Sequence, residues 1–252
     1  MGNFPKYGGT SDGTLAPAPI VYNQIPVTEI LSYPNKGWGF YSDMQIAKAD
    51  SLGSYSQTCA GPWVVTATEA AATASSGILN LHLLGGGCEM QSIATEDKGI
   101  QIQQGEAFTP TAGYKIAGGC RIASDDIDQV DFFVGLTTTD TSICASRPDD
   151  AIGFSSADAS AALQYNVSKT GGTSAATAMT TAVTLVDATY NDIAFVVTGT
   201  SKVEFYVDGV LNTTVTDDIP TVNMGFAIAM LSGEGATNNI TLKNAYCYQW
   251  VE

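Results

Sequence analysis

The sequence predicts an all-β protein, an antiparallel β-sandwich preceded by an extended arm, and three observations carry that prediction. Val, Ile, Thr, Tyr and Phe are plentiful and 26 glycines punctuate the 252 residues, which is the composition of short strands joined by turns. Charged residues make up only 14%. From Gly37 onward, strand-length apolar runs alternate with turn residues and no run sustains a helical period. A chain of this length is long enough to bury a sizeable core.

Residues 1 to 35 form the arm. Pro5, Pro17, Pro19, Pro26 and Pro34 with Gly8, Gly9 and Gly13 break any regular structure, and few apolar residues recur at a fixed spacing. The sequence therefore divides into an attachment arm, 1–35, and a sandwich domain, 36–252, that folds without it. Such a segment has little core of its own, so Tyr7, Tyr22, Ile25 and Tyr33 are its candidate contacts with a partner protein or a neighbouring copy.

Within the sandwich, Ile78 to Leu84 places Leu79, Leu81 and Leu83 opposite Asn80 and His82. Val130, Phe132, Val134 and Leu136 share one strand face, and Asp131, Phe133 and Gly135 the other. Lys169 to Thr181, rich in Gly, Ala, Ser and Thr, reads as a surface loop. Asp208-Gly209, between Val203–Val207 and Val210–Val215, is the strongest local signal, a two-residue hairpin turn with positive φ at both positions. Met224, Phe226, Ile228 and Met230 oppose Gly225, Ala227, Ala229 and Leu231, so one face fills a core and the other admits a closely packed layer. The last strand puts Ile240, Leu242, Tyr246, Tyr248 and Trp250 on one side.

Charge restricts the partners. Ten Lys and Arg stand against 25 Asp and Glu, a net charge of -15, which repels phosphate backbones and anionic lipid. Neither nucleic-acid binding nor membrane insertion is expected. The N-terminus has no basic stretch followed by an apolar one, and nowhere do 18 apolar residues run together, so neither a signal peptide nor a membrane span is expected either. Five cysteines, Cys59, Cys88, Cys120, Cys144 and Cys247, contain no C-x-x-C pair and suggest neither a disulfide framework nor a zinc site. Cys247, between Tyr246 and Tyr248, reads as a small buried hydrophobe.

Catalytic signatures are sparse. A retaining glycosidase needs two carboxylates about 5 Å apart, supplied on a strand by acidic residues at alternate positions, and no such run exists. Glu204 with Asp208 is the nearest substitute, and Asp208 is better explained by its turn. Gly9-Thr10-Ser11-Asp12-Gly13 has the letters of a nucleophile elbow but lies in the arm, and His82 has no triad around it. Asp125, Asp126 and Asp128 offer calcium-type oxygens at a spacing that departs from the D-x-D-x-D-G loop, so a solvated acidic turn is the simpler reading. No enzyme activity, metal or other cofactor is expected. Trp38, Trp63, Phe40 and Tyr41 are split between core packing and the stacking of a ligand ring.

The order of Asp131-Phe132-Phe133-Val134-Gly135-Leu136, Asp150-Ala151-Ile152-Gly153-Phe154, Val203 to Leu211 with Asp208-Gly209, Ile219-Pro220 and the strand from Ile240 resembles concanavalin A-like jelly-roll domains, particularly those of bacteriophage virion proteins. The likeness runs from about residue 38 to 250 and implies an antiparallel jelly-roll β-sandwich. It also implies a structural post on the capsid exterior: a capsid decoration or head-fibre protein, assembled in the host cytoplasm. Such a protein binds the major capsid protein or another virion protein through its arm, as a homo-oligomer, a trimer being one option. A carbohydrate-binding, lectin-like adhesion module meeting a host-surface glycan is the alternative, and a degenerate glycoside hydrolase the third reading. No catalytic or sugar-binding motif of the family transfers residue by residue.

Overall fold

The computed structural model describes residues 21–33, 35–44, 57–58, 63–66, 77–81, 87–171 and 176–252. In chain order the strands are β1 (Gly37–Ser42), β2 (Gln57–Thr58), β3 (Trp63–Thr66), β4 (Gly77–Leu81), β5 (Cys88–Ser92), β6 (Gly99–Gln104), β7 (Tyr114–Ser124) and β8 (Val130–Thr137). They continue as β9 (Ala151–Ala157), β10 (Ser160–Ser168), β11 (Thr177–Ala178), β12 (Asn191–Thr198), β13 (Lys202–Val207), β14 (Val210–Val215), β15 (Gly225–Ser232) and β16 (Asn239–Val251). Two antiparallel sheets result. One runs β14-β13-β12-β7-β16-β5-β4, with β1 alongside the C-terminal half of β16; the other runs β11-β10-β9-β8-β15-β6-β3-β2.

The sheets face each other across one core, as the alternating patterns require. Phe132, Val134 and Leu136 of β8 and Phe226, Ile228 and Met230 of β15 meet Phe195 and Val197 of β12 and Phe205 of β13. Ring contacts cross the gap, with Phe195 stacked on Phe226 at 6.5 Å and Phe154 edge-on to Phe205 at 5.1 Å. The small-residue face of β15 does admit a further layer: the 138–150 connection, whose Ile143 packs on Phe133, Ala227 and Ala229. Gln101 and Gln103 clasp this loop by its backbone. Gln101 accepts from Ile143 N at 3.2 Å, and Gln103 donates to the Thr138 carbonyl at 3.0 Å.

The hairpin turn has the expected geometry, with φ of 49° at Asp208 and 77° at Gly209 and with Val207 paired to Val210. The last strand corrects the sequence reading. Leu242 pairs with Ile122 but Asn244 pairs with Arg121, so Lys243 is an extra residue and the strand is bulged. One extra residue reverses every later side chain. Ile240 and Leu242 therefore face the core with Ala245 and Cys247, while Tyr246, Tyr248 and Trp250 face outward.

That aromatic stripe is covered by part of the arm, which is a second correction. Residues 21–33 are not simply extended: Tyr22–Gln24 form a 3-10 turn and Val27–Ser32 a short α-helix, α1. Val21, Ile25 and Ile30 are buried against Tyr246, Tyr248, Trp250, Ala117, Ala194 and Val196. Tyr22 lies edge-on to Tyr246 at 5.1 Å, Tyr41 at 5.9 Å and Tyr248 at 6.5 Å. On β1, Gly39 makes room for this layer, since a Cβ there would overlap the Tyr248 ring. The proposed boundary at residue 35 thus separates a strap from the sheet it covers. Prolines interrupt periodicity in the sequence, but the strap's few apolar side chains needed only an apolar surface to meet.

Two outcomes follow. Gly209→Val puts a β-branched residue at positive φ and is expected to cost about 1–3 kcal/mol in a urea titration; an unchanged midpoint would contradict the turn geometry. A chain starting at Lys36 loses three buried side chains, each worth about 1.5–3 kcal/mol, and uncovers the aromatic stripe. It is expected to melt roughly 10 °C or more below the full chain and to bind a hydrophobic dye, whereas an unaltered melt would restore the arm and domain division.

Candidate functional site

The residues singled out in the sequence are placed as follows. Tyr7, His82 and the Gly9–Gly13 run lie outside the described residues. Tyr22 and Ile25 are engaged with the chain's own sheet, and Tyr33 is 61% exposed. Trp63 is buried, while Trp38 is 42% exposed and held by its indole N–H, which donates to the Ala107 carbonyl at 2.9 Å. Glu204 accepts from Lys202 at 3.0 Å. Asp208 accepts from Asp192 N at 2.9 Å and from Asn191 at 3.0 Å, so both of its oxygens tie the hairpin turn to the start of β12.

The three aspartates of the acidic turn are divided between tasks. Asp125 accepts from the backbone N and side-chain amide of Asn239, at 2.7 and 2.6 Å. Asp126 and Asp128 share a hydrogen bond, and this, with lesser contributions from burial and from Asp187 and Glu234, pushes the Asp126 carboxyl up to about 6. Among the described residues no group of three or more His, Cys, Asp or Glu side chains is arranged to hold a metal ion.

The site the structure does assemble lies on the outer face of the first sheet, at the β16 bulge. A crevice there is lined by Val21, Cys120, Asp192, Ile193, Ala194, Tyr206, Gly209, Asn244 and Tyr246. Strand alternation supplies its walls: Val203, Phe205 and Val207 of β13 point into the core, which turns Tyr206 outward. The bulge supplies its floor by turning Tyr246 to the same side, and the strap closes one flank with Val21. The crevice is small and open to solvent, with room for about one water-sized group.

Its polar groups are few and specific. Asp192, opposite Arg121 in the β7–β12 pairing, accepts from the Arg121 guanidinium through Oδ2 at 3.3 Å, and among the described residues Oδ1 receives no hydrogen bond. Burial lifts the Asp192 carboxyl above the usual carboxylate range; Arg121 opposes the shift and Asp208 adds to it. Arg121 also lies over the Tyr190 ring at 5.4 Å, with the Lys243 ammonium at 5.5 Å from the same ring. Tyr246 is 3% exposed, and among the described residues its buried hydroxyl has no hydrogen-bond partner. Burial drives that phenol far above its ordinary pKa, with Cys120 and Asp192 adding to the effect, so it stays protonated and able to donate.

Buried polar groups are nearly always bonded, which makes the Tyr246 hydroxyl the exceptional atom of this surface. The sequence reading missed Asp192, Tyr206 and Asn244 as site residues and gave Tyr246 to the core. One signal was available, a carboxylate at the start of an otherwise apolar strand. The bulge that assembles the group has none.

The comparisons agree with this architecture. No family model matches the chain, and no curated protein matches it. Solved structures share its fold. A β-glucanase of Bacillus licheniformis is 14% identical with a TM-score of 0.56, over 86% of this chain and 99% of its own. A protein of unknown function from Shewanella oneidensis MR-1 is 12% identical with a TM-score of 0.57, over 90% of this chain and 95% of its own. A sialidase, 8% identical with a TM-score of 0.50, matches over 74% of this chain, which spans only 17% of the sialidase. These likenesses define the fold class, an antiparallel jelly-roll β-sandwich. At such identities they carry the fold alone.

The Asp126 and Asp128 pair generates a pH dependence. With its folded pKa at about 6 against about 3.9 unfolded, Asp126 keeps a proton that the unfolded chain has already lost. Its favourable contribution is complete below about pH 4 and is lost as pH rises to about 6. Asp126→Asn is therefore expected to raise the melting temperature relative to the parent near neutral pH and to match it below about pH 4. A gap of equal size at both ends of a calorimetric pH series would refute the shared proton.

Proposed function

We propose that this chain is a non-catalytic carbohydrate-binding module and that the crevice at the β16 bulge is its ligand seat. The observation that carries the reading is the buried, unpartnered Tyr246 hydroxyl beside the partly open Asp192 carboxylate. A sugar hydroxyl both donates and accepts, so a single one can give its proton to Asp192 and receive the Tyr246 proton. Tyr206 adds an aromatic wall and Asn244 an amide, the mixture of apolar body and few fixed polar groups that orients a small ligand. Hydrolysis by the retaining route would need a second carboxylate about 5 Å away. Among the described residues Asp192 is the one carboxylate that lines the crevice, and the neighbouring Asp208 has both oxygens bonded to the start of β12.

Fold neighbours named as a β-glucanase and a sialidase support a glycan as the ligand over other small molecules. Display on a virion is a second reading that rests on the sequence resemblance, and a module raised on a capsid to meet host-surface glycans would unite the two. The strap favours it in one respect, since Leu31 and Tyr33 are 75% and 61% exposed on its outer side and offer an apolar contact to a partner.

A glycan array followed by calorimetric titration of the best ligand tests the proposal. Tyr246→Phe and Asp192→Asn are each expected to lower affinity about tenfold or more, the effect of removing a hydrogen bond from a desolvated site. Tyr246→Phe should leave the melting temperature of the unliganded protein unchanged or higher, since it removes a buried group that nothing satisfies. A blank array, or variants that bind as the parent does, would overturn the assignment.

A further inference from the structure

Resting on the carbohydrate reading, we infer that the crevice takes the exocyclic hydroxymethyl group of a neutral hexopyranose, and so selects hexosides over pentosides, 6-deoxyhexosides and uronates. The argument begins with shape. The crevice has room for about one water-sized group, far below the roughly 300 Å³ at which sites for entire small molecules begin. A sugar ring therefore stays at the mouth, and one hydroxyl goes in.

The ring's secondary hydroxyls sit directly on ring carbons, so pushing one of them inward drives the ring against Val21, Tyr206 and Gly209. The primary hydroxyl ends a rotatable one-carbon arm that stands clear of the ring. It is the sugar hydroxyl able to reach Tyr246 and Asp192 while the ring remains outside against Tyr206. At that position the hydroxyl donates to Asp192 and accepts from Tyr246, and the methylene lies between Val21 and Ala194, which supply apolar contact.

The same geometry sets what is rejected. A pentopyranose has nothing to insert and leaves Tyr246 and Asp192 as they are. A 6-deoxy sugar inserts a methyl group that bonds to neither, and a site built to bond a hydroxyl discriminates strongly against an analogue lacking one. A uronate brings a carboxylate against Asp192, with Asp208 close behind and a chain of net charge -15 around it.

Titration of the full chain with matched methyl glycosides, read by calorimetry and by saturation-transfer NMR, tests the inference. The pairs are methyl β-D-glucoside with β-D-xyloside and with β-D-glucuronide, and methyl β-D-galactoside with β-D-fucoside. At least one hexoside is expected to bind about tenfold or more tightly than its partners lacking the 6-hydroxyl, with saturation transfer strongest at the C6 protons. Tyr246→Phe should erase that preference. Equal binding within every pair, with Tyr246→Phe still weakening both members, would overturn this inference and leave the carbohydrate reading standing. Binding of no saccharide, here or on an array, would overturn both.

Discussion

The outer surface of the first sheet depends on one irregularity, the extra residue at Lys243 in β16. Without it, the period of two that puts Ile240 and Leu242 into the core would continue to Asn244, Tyr246, Tyr248 and Trp250, and the core would have to hold three large rings beside Phe195 and Phe205. The bulge substitutes Ala245 and Cys247 at those positions and moves the rings outside. Core packing gains from this exchange, because side chains of suitable volume then meet the phenylalanines of the opposite sheet. An apolar outer stripe is the cost.

The strap answers that cost. A stripe of Tyr246, Tyr248 and Trp250 beside Ala117, Ala194 and Val196 would form the kind of exposed apolar patch that promotes association. Val21, Ile25 and Ile30 cover it. The second sheet solves its own version of the problem with the 138–150 loop, held by Gln101 and Gln103 and seated on Phe133, Ala227 and Ala229. Each outer face thus acquires a third layer from a connecting segment. On the first sheet Val21 of the strap lines the crevice.

Polar chemistry gathers at that margin for a physical reason. A bulge reverses the face that every later side chain takes, so Asn244 and Tyr246 turn outward, Asn244 opposite Arg121 and both lining the crevice with Asp192. Desolvation raises the Asp192 carboxyl while Arg121 restrains the shift. The result is a carboxylate held ready to accept, next to a phenol held ready to donate, in a space too small for a whole molecule. That combination suits recognition of one functional group.

Local pattern alone determined much of this protein. Alternation in Val130–Leu136 and Met224–Leu231 fixed which side of β8 and β15 meets the core, because a strand's side chains alternate whatever lies around it. Asp208-Gly209 fixed its hairpin, because few dipeptides tolerate positive φ twice. The sandwich class followed from many such strands with no helical period. Tertiary structure decided what depends on pairing between distant segments. The bulge at Lys243 exists only against β7, more than a hundred residues earlier in the chain, and nothing in Thr241-Leu242-Lys243-Asn244 announces it. The strap's fold exists only against the stripe that this bulge turns outward. The crevice joins residues of the strap, β7, β12, β13 and β16, and its central feature, a hydroxyl left without a partner, is a relation between those elements that no local stretch of sequence contains.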